Sequence, residues 1–142
     1  MRLFSRALAN VREGRMQKLL SATTAFSVPP LAFEIYVEHY KGSFGDKWMW
    51  TPIVLTPPLT AAGIAGFVSP KAARTVLPLF GALYALDGAI GIVTHVQGVR
   101  KRPGGFGEAR YNLVMGPPLL APGSLAMVGG MAMLAAIMKR ER

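Results

Sequence analysis

Four long apolar runs limit what this chain can become. They cover residues 19–40, 50–68, 75–99 and 111–138, and most charged residues lie between them or at the ends. A helix rises about 1.5 Å per residue, so roughly 20 residues cross the hydrocarbon of a bilayer. All four runs reach that length, and the fourth exceeds it. Only 16% of the chain is charged, against about 25% in ordinary soluble domains. The expected fold is therefore all-α and integral to a membrane, with four transmembrane helices.

Residues 1–18 differ. They carry Arg2, Arg6, Arg12, Arg15 and Lys18 against one acid, Glu13, with Leu3, Phe4, Ala7, Leu8 and Val11 at helical spacing. That pattern predicts a basic amphipathic helix on the membrane surface. Its acidic partner would be anionic lipid headgroups. The net charge of +9 does not point to nucleic acid, because the basic residues flank the apolar runs.

Four spans place both ends of the chain on one side. Ten Lys and Arg fall on that side and six on the other, including Arg100, Lys101 and Arg102. The positive-inside rule then sets both termini in the cytoplasm of a bacterial-type inner membrane. The Arg-rich start also fits a mitochondrial presequence, which keeps the mitochondrial inner membrane open. Tyr40, Phe44, Trp48, Trp50, Phe106 and Tyr111 would gather as an aromatic belt at the opposite, outer face.

The second half of the chain echoes the first. "HYKGSFG" at 39–45 is followed by "VLTPPLTAAG" at 54–63; "HVQG" at 95–98 and "GFG" at 105–107 are followed by "VMGPPLLAPG" at 114–123. Six of the ten paired positions in the longer stretches are identical. We read a tandem duplication of a two-helix hairpin, 19–70 and then 71–142. The copies would insert in the same sense, so the only two histidines, His39 and His95, would stand at similar depth near the outer face. The pairs Pro57-Pro58 and Pro117-Pro118 would fall about two turns into the second and fourth helices. There they free carbonyls for a cavity or for helix packing.

Acids within a span are costly and point to function. Asp87 lies in the middle of the third run and Glu34 in the outer half of the first, with Glu38 one turn on. Asp87, Thr94 and His95 are spaced so that they could pass protons toward the outer surface. The two imidazoles suit axial ligation of one haem b, a quinone site, or plain interfacial hydrogen bonding. With no cysteine, iron–sulfur clusters, thiolate metal sites and c-type haem are excluded. Met127, Met131, Met133 and Met138 scatter around the fourth helix and read as packing rather than copper ligands. "RPGGFGE" at 102–108 follows no strand and reads as an outer loop, not a nucleotide cradle. Small residues recur at four-residue spacing in Gly81-Ala85-Ala89, Ala62-Gly66 and Ala126-Gly130, the mark of close helix packing.

No nucleophile–base set is visible, so catalysis by this chain alone is not expected. The expected role is a small polytopic subunit of a larger complex. It would anchor partner subunits, or further copies of itself, and offer a quinone or haem b site near the outer face. The alternative is a small oligomeric proton-coupled transporter or channel.

Overall fold

A computed structural model describes residues 2–140, apart from the side chains of Arg2 and Arg12. Arg142, counted above among the basic residues of one side, lies outside them. Among the described residues all regular structure is helical, and no strand is present. In order come α1 (Arg2–Arg12), α2 (Met16–Lys41), a 3₁₀ turn (Lys47–Trp50), α3 (Thr51–Val68), α4 (Pro70–Arg74), α5 (Val76–Arg100), a second 3₁₀ turn (Gly105–Glu108), α6 (Ala109–Val114) and α7 (Leu120–Ile137).

Three stretches are long and apolar enough to cross a membrane: Lys47–Val68, Pro70–Arg100 and Leu120–Ile137. The helix α2 has 26 residues, about 39 Å at the usual rise. Gln17, Lys18, Glu34, Glu38, His39 and Lys41 dilute its apolar character, so it does not join those three. It still packs as the fourth long helix. Both α2 and α5 pack against α3 and α7, so α2 and α5 stand at opposite corners of the bundle, as do α3 and α7. Successive long helices run antiparallel. Gln17, Gly66 and Arg140 share one end, called the lower end below, while His39 and His95 share the upper end.

Val28, Ile35, Leu59, Leu77, Tyr84, Leu125 and Val128 fill the middle. The outside is apolar as well. Phe26 and Leu120 are each 85% exposed, and Val54, Ile64, Leu86 and Ile137 also point outward. Lipid solvates such a surface and water does not. Between lipid-bathed helices the association then rests on close contact rather than on escape from water.

The α5–α7 seam supplies that contact. A Cβ placed on Gly81 would lie 2.6 Å from Ala132 Cβ, one on Gly88 2.6 Å from the Pro122 carbonyl, and one on Gly98 2.8 Å from the Pro117 ring. Gly91 meets Pro122 in the same way. These four glycines are spaced seven, three and seven residues apart, the heptad-like period of helices crossing at a shallow angle. The four-residue spacing seen in the sequence finds only part of this face. Gly81 and Ala85 do lie on the seam, but α7 answers with Gly129, and Gly130 opens on empty space.

At the lower end, the Gln17 side-chain amide donates to the carbonyls of Ala135 (2.8 Å) and Met138 (3.2 Å). The Arg140 guanidinium donates to the carbonyls of Gly66 (2.7 Å) and Phe67. These bonds close the bundle around the start of α2. On α1, Leu3, Phe4, Leu8 and Val11 remain exposed, and the chain turns into α2 through Gly14 at φ 76°.

The two hairpins differ where the proline pairs fall. Pro57 and Pro58 lie inside α3, which runs through them unbroken. Pro117 and Pro118 lie in no helix: the expected fourth span is split into α6 and α7 by residues 115–119. The residue before each pair accounts for the difference. A residue preceding proline is pushed out of the helical region. Thr56 stays helical, and its hydroxyl donates to the Pro52 carbonyl within the same helix at 2.8 Å. Gly116, in the equivalent place, has no side chain and the lowest helix propensity after proline.

Candidate functional site

The upper end holds a cavity of about 650 Å³, within the usual range for small-molecule sites. Five elements build it. His39 comes from the last turn of α2, and Trp48, Met49 and Thr51 from the 3₁₀ turn and the start of α3. Asp87, Thr94 and His95 come from α5, and Pro117, Pro122 and Leu125 from the broken entry into α7 and its first turns.

His39 is seated by the way α2 ends. Phe44 N–H donates to the His39 carbonyl (3.0 Å) and Ser43 N–H to the Tyr40 carbonyl (2.8 Å). This is the paired bond pattern of a Schellman cap. Phe44 then lies against the His39 ring, centroids 6.0 Å apart, and stacks on Trp50 at 4.1 Å. The cap needs left-handed backbone at Ser43 (φ 56°) and continues it at Phe44 (φ 46°), a conformation that costs a residue with a side chain about 1 kcal/mol or more. Ser43→Gly should therefore raise stability by about 1 kcal/mol, read as a higher thermal unfolding midpoint in detergent. A lower midpoint would show that the Ser43 side chain holds the turn.

His95 reaches the same level from the opposite corner, and the two rings stand 6.5 Å apart at 71°. The two histidines, expected from the matched motifs to lie at similar depth, are also close enough for their rings to be neighbours. Each ring is anchored in one way. His39 Nδ1 lies 2.8 Å from the Met49 carbonyl, and His95 Nδ1 lies 2.7 Å from the Pro118 carbonyl. Both carbonyls sit two residues before the return helix begins, α3 in one hairpin and α7 in the other. A carbonyl oxygen only accepts, so both Nδ1 atoms carry hydrogen and donate. Each neutral ring is left with one free lone pair, on Nε2. The glycine that follows each histidine does not serve the same end. Gly42 closes α2, whereas Gly98 lies inside α5 against Pro117.

Asp87 lines the cavity, but its partner is across the helix interface. Thr51 Oγ1 lies 2.5 Å from Asp87 Oδ1. The expected chain through Thr94 is not made, because the Thr94 hydroxyl donates within its own helix to the Gly91 carbonyl at 2.9 Å. Glu34 is exposed on the outside of α2, away from the cavity. Glu38 is drawn off to Lys41, 2.5 Å away. Pro57 and Pro58 lie apart from the cavity, whereas Pro117 lines it and Pro118 supplies the carbonyl for His95.

Thr51, Met49 and Asp46 escaped the sequence reading. A signal for them existed in "DKWMWTP" at 46–52. Asp46 caps the 3₁₀ turn by accepting from Trp48 N–H at 3.0 Å, and Pro52 starts α3. An acid that opens a turn at the mouth of an apolar helix fixes the backbone that follows it. Asn112 was also missed. It is buried and donates to the Pro103 and Gly105 carbonyls at 2.9 and 2.8 Å, which ties the glycine-rich loop at the upper end to α6.

The lining is mostly apolar, with polar groups converging from His39, His95, Thr51 and Asp87. No Lys or Arg among the described residues lines it, and no three metal-ligating side chains cluster among them. Such a cavity can hold a small, flat, largely apolar molecule and address its polar atoms from two sides. No known protein family matches this chain, and no characterised protein or solved structure is detectably similar to it.

Proposed function

We propose that this protein is a small polytopic membrane subunit that binds a quinone headgroup in its upper cavity, with α2 as the fourth span. The observation that carries this reading is the histidine pair. Two imidazoles from opposite corners, each locked through Nδ1, hold their Nε2 lone pairs beside one apolar chamber. A quinol hydroxyl can donate to such a nitrogen, and the aromatic wall suits a flat ring. The duplicated hairpin explains why both histidines exist, and the shared chamber supplies a reason for both to be used.

Haem b fits this lining less well. Its two propionates call for cationic partners, and the chamber offers the carboxyl groups of Asp46 and Asp87 instead. The placement of the chamber on the outer side, with both termini cytoplasmic and α1 resting on anionic lipid, follows from the charge distribution and belongs to the same proposal. So does a larger complex: a chain of this size without a visible electron donor needs partner subunits to deliver electrons to a quinone.

Quinone binding can be read directly. A short-tailed benzoquinone titrated into the protein in lipid nanodiscs should quench Trp48, which lines the cavity, in a saturable way. Trp48→Phe should remove most of the quenching. Linear, unsaturable quenching would overturn the reading. A protein that binds no quinone yet acidifies liposomes, and loses that activity in Asp87→Asn, would establish the transporter instead. The bridge that Asp87 makes between α5 and α3 is the feature favouring that rival.

A further inference from the structure

We infer that Asp87 carries a proton in the resting protein and is the hydrogen-bond donor that the cavity presents to its occupant. The protons available to three neighbouring oxygens require it. Thr51 Oγ1 lies 2.8 Å from the Trp48 carbonyl and 2.5 Å from Asp87 Oδ1. Two well-formed hydrogen bonds among these three oxygens need two protons, because a single hydrogen shared between two acceptors is bent away from both. The Trp48 carbonyl brings none and the Thr51 hydroxyl brings one. The second has to come from the Asp87 carboxyl, which then donates to Thr51, while Thr51 donates to Trp48. With an ionised Asp87, one of the contacts would press two lone pairs together at hydrogen-bond distance.

The surroundings agree with the count. On α3 the group facing Asp87 is Thr51; from α2 it is His39; along α5 the titratable neighbours are His95 and Tyr84; from α7 come Pro122 and Leu125, which are apolar; from the loop before α3 comes Asp46. None is Lys or Arg. Both histidines use their Nδ1 hydrogens on carbonyls and so remain acceptors in their neutral form. An ionised carboxylate in this setting would have only the Thr51 hydroxyl and an imidazole to offset its charge, with no Lys or Arg in the lining. The chamber therefore holds one acid donor and two imidazole acceptors. An oxidised quinone can accept from Asp87 through a carbonyl, and a quinol can donate to Nε2. This deepens the quinone reading and rests on it only for the identity of the occupant.

Infrared spectroscopy tests the inference on the full chain in lipid vesicles at neutral pH. The chain has two aspartates, Asp46 and Asp87, so carboxyl-¹³C aspartate labels few groups. A band for a protonated carboxylic acid should be present, move down on labelling, and vanish in Asp87→Asn. In Thr51→Val it should persist at higher frequency, because the acid has lost its acceptor. The isotope shift needs no variant, so misfolding of the Asp87→Asn protein does not blunt the test. Absence of an aspartate-derived band, or its survival in Asp87→Asn, overturns the inference. A short-tailed benzoquinone should then shift the band. A quinone that saturates Trp48 quenching and leaves the band unmoved overturns the donor role. A quinone that does not bind removes the quinone reading, while the band still decides the proton.

Discussion

Gly129→Ala should destabilise the protein by about 3 kcal/mol, whereas Gly130→Ala, one residue on, should leave it unchanged or raise its stability by up to about 1 kcal/mol. A Cβ on Gly129 would stand 2.8 Å from Ala85 Cβ, with the backbone of Gly81 and Ala85 closer still. Backbone on a neighbouring helix cannot swing aside as a side-chain tip does. The two helices must part, and every contact along the α5–α7 seam weakens with them. At Gly130 a Cβ meets nothing within 4 Å, and alanine removes the conformational freedom that makes glycine costly in a helix. Thermal unfolding midpoints of both variants in one detergent check the contrast. Equal midpoints would show that the seam is looser than these contacts require.

The second large effect is expected at the histidine pair. His95→Ala should weaken quinone binding about 5- to 150-fold, the range of one lost hydrogen bond of about 1–3 kcal/mol. It should also lower stability, because the Pro118 carbonyl loses its donor. His95→Asn separates the two roles. The asparagine amide can reach the same carbonyl as Nδ1 did, but nothing replaces Nε2. Stability should return toward that of the parent protein while binding stays weak. His39 should behave in parallel, with Met49 as the carbonyl partner. Two variants that bind as the parent does would reduce both imidazoles to ties between helices.

Much of this fold is written in the order of apolar and charged residues. The first three runs, 19–40, 50–68 and 75–99, lie within a few residues of α2, the 3₁₀ turn with α3, and α5. Length and apolarity alone set those limits. The depth shared by His39 and His95 also followed from the sequence, because the first and third apolar runs cross in the same direction and each histidine lies near the end of its run. The break at 115–119 did not. It depends on Thr56 in one hairpin and Gly116 in the other, a difference that an apolarity profile passes over.

The site was legible only as a list of members. His39, His95 and Asp87 were named, but their partners are Met49, Pro118 and Thr51. Two of these partners act through backbone carbonyls, which carry no signature in residue type. Thr94 was placed in the relay because it shares a helix face with Asp87. Its hydroxyl turns back to its own helix, a habit of threonine that face-counting cannot register. Glu34 was placed by depth, and depth does not distinguish the inside of a bundle from its lipid-facing side.

The lower end of the bundle bears on how the chain is made. The Gln17 amide finds its carbonyls 118 and 121 residues further along, and Arg140 reaches back across 74 residues to Gly66. Contacts of such long separation form last, since the loop between them must be closed first. The packing of α2 on α3 is close in sequence and can form before α7 exists. The two ties at the lower end cannot, because Gln17 and Gly66 both wait for residues 135–140. The fourth corner of the bundle is therefore locked only when the end of α7 arrives.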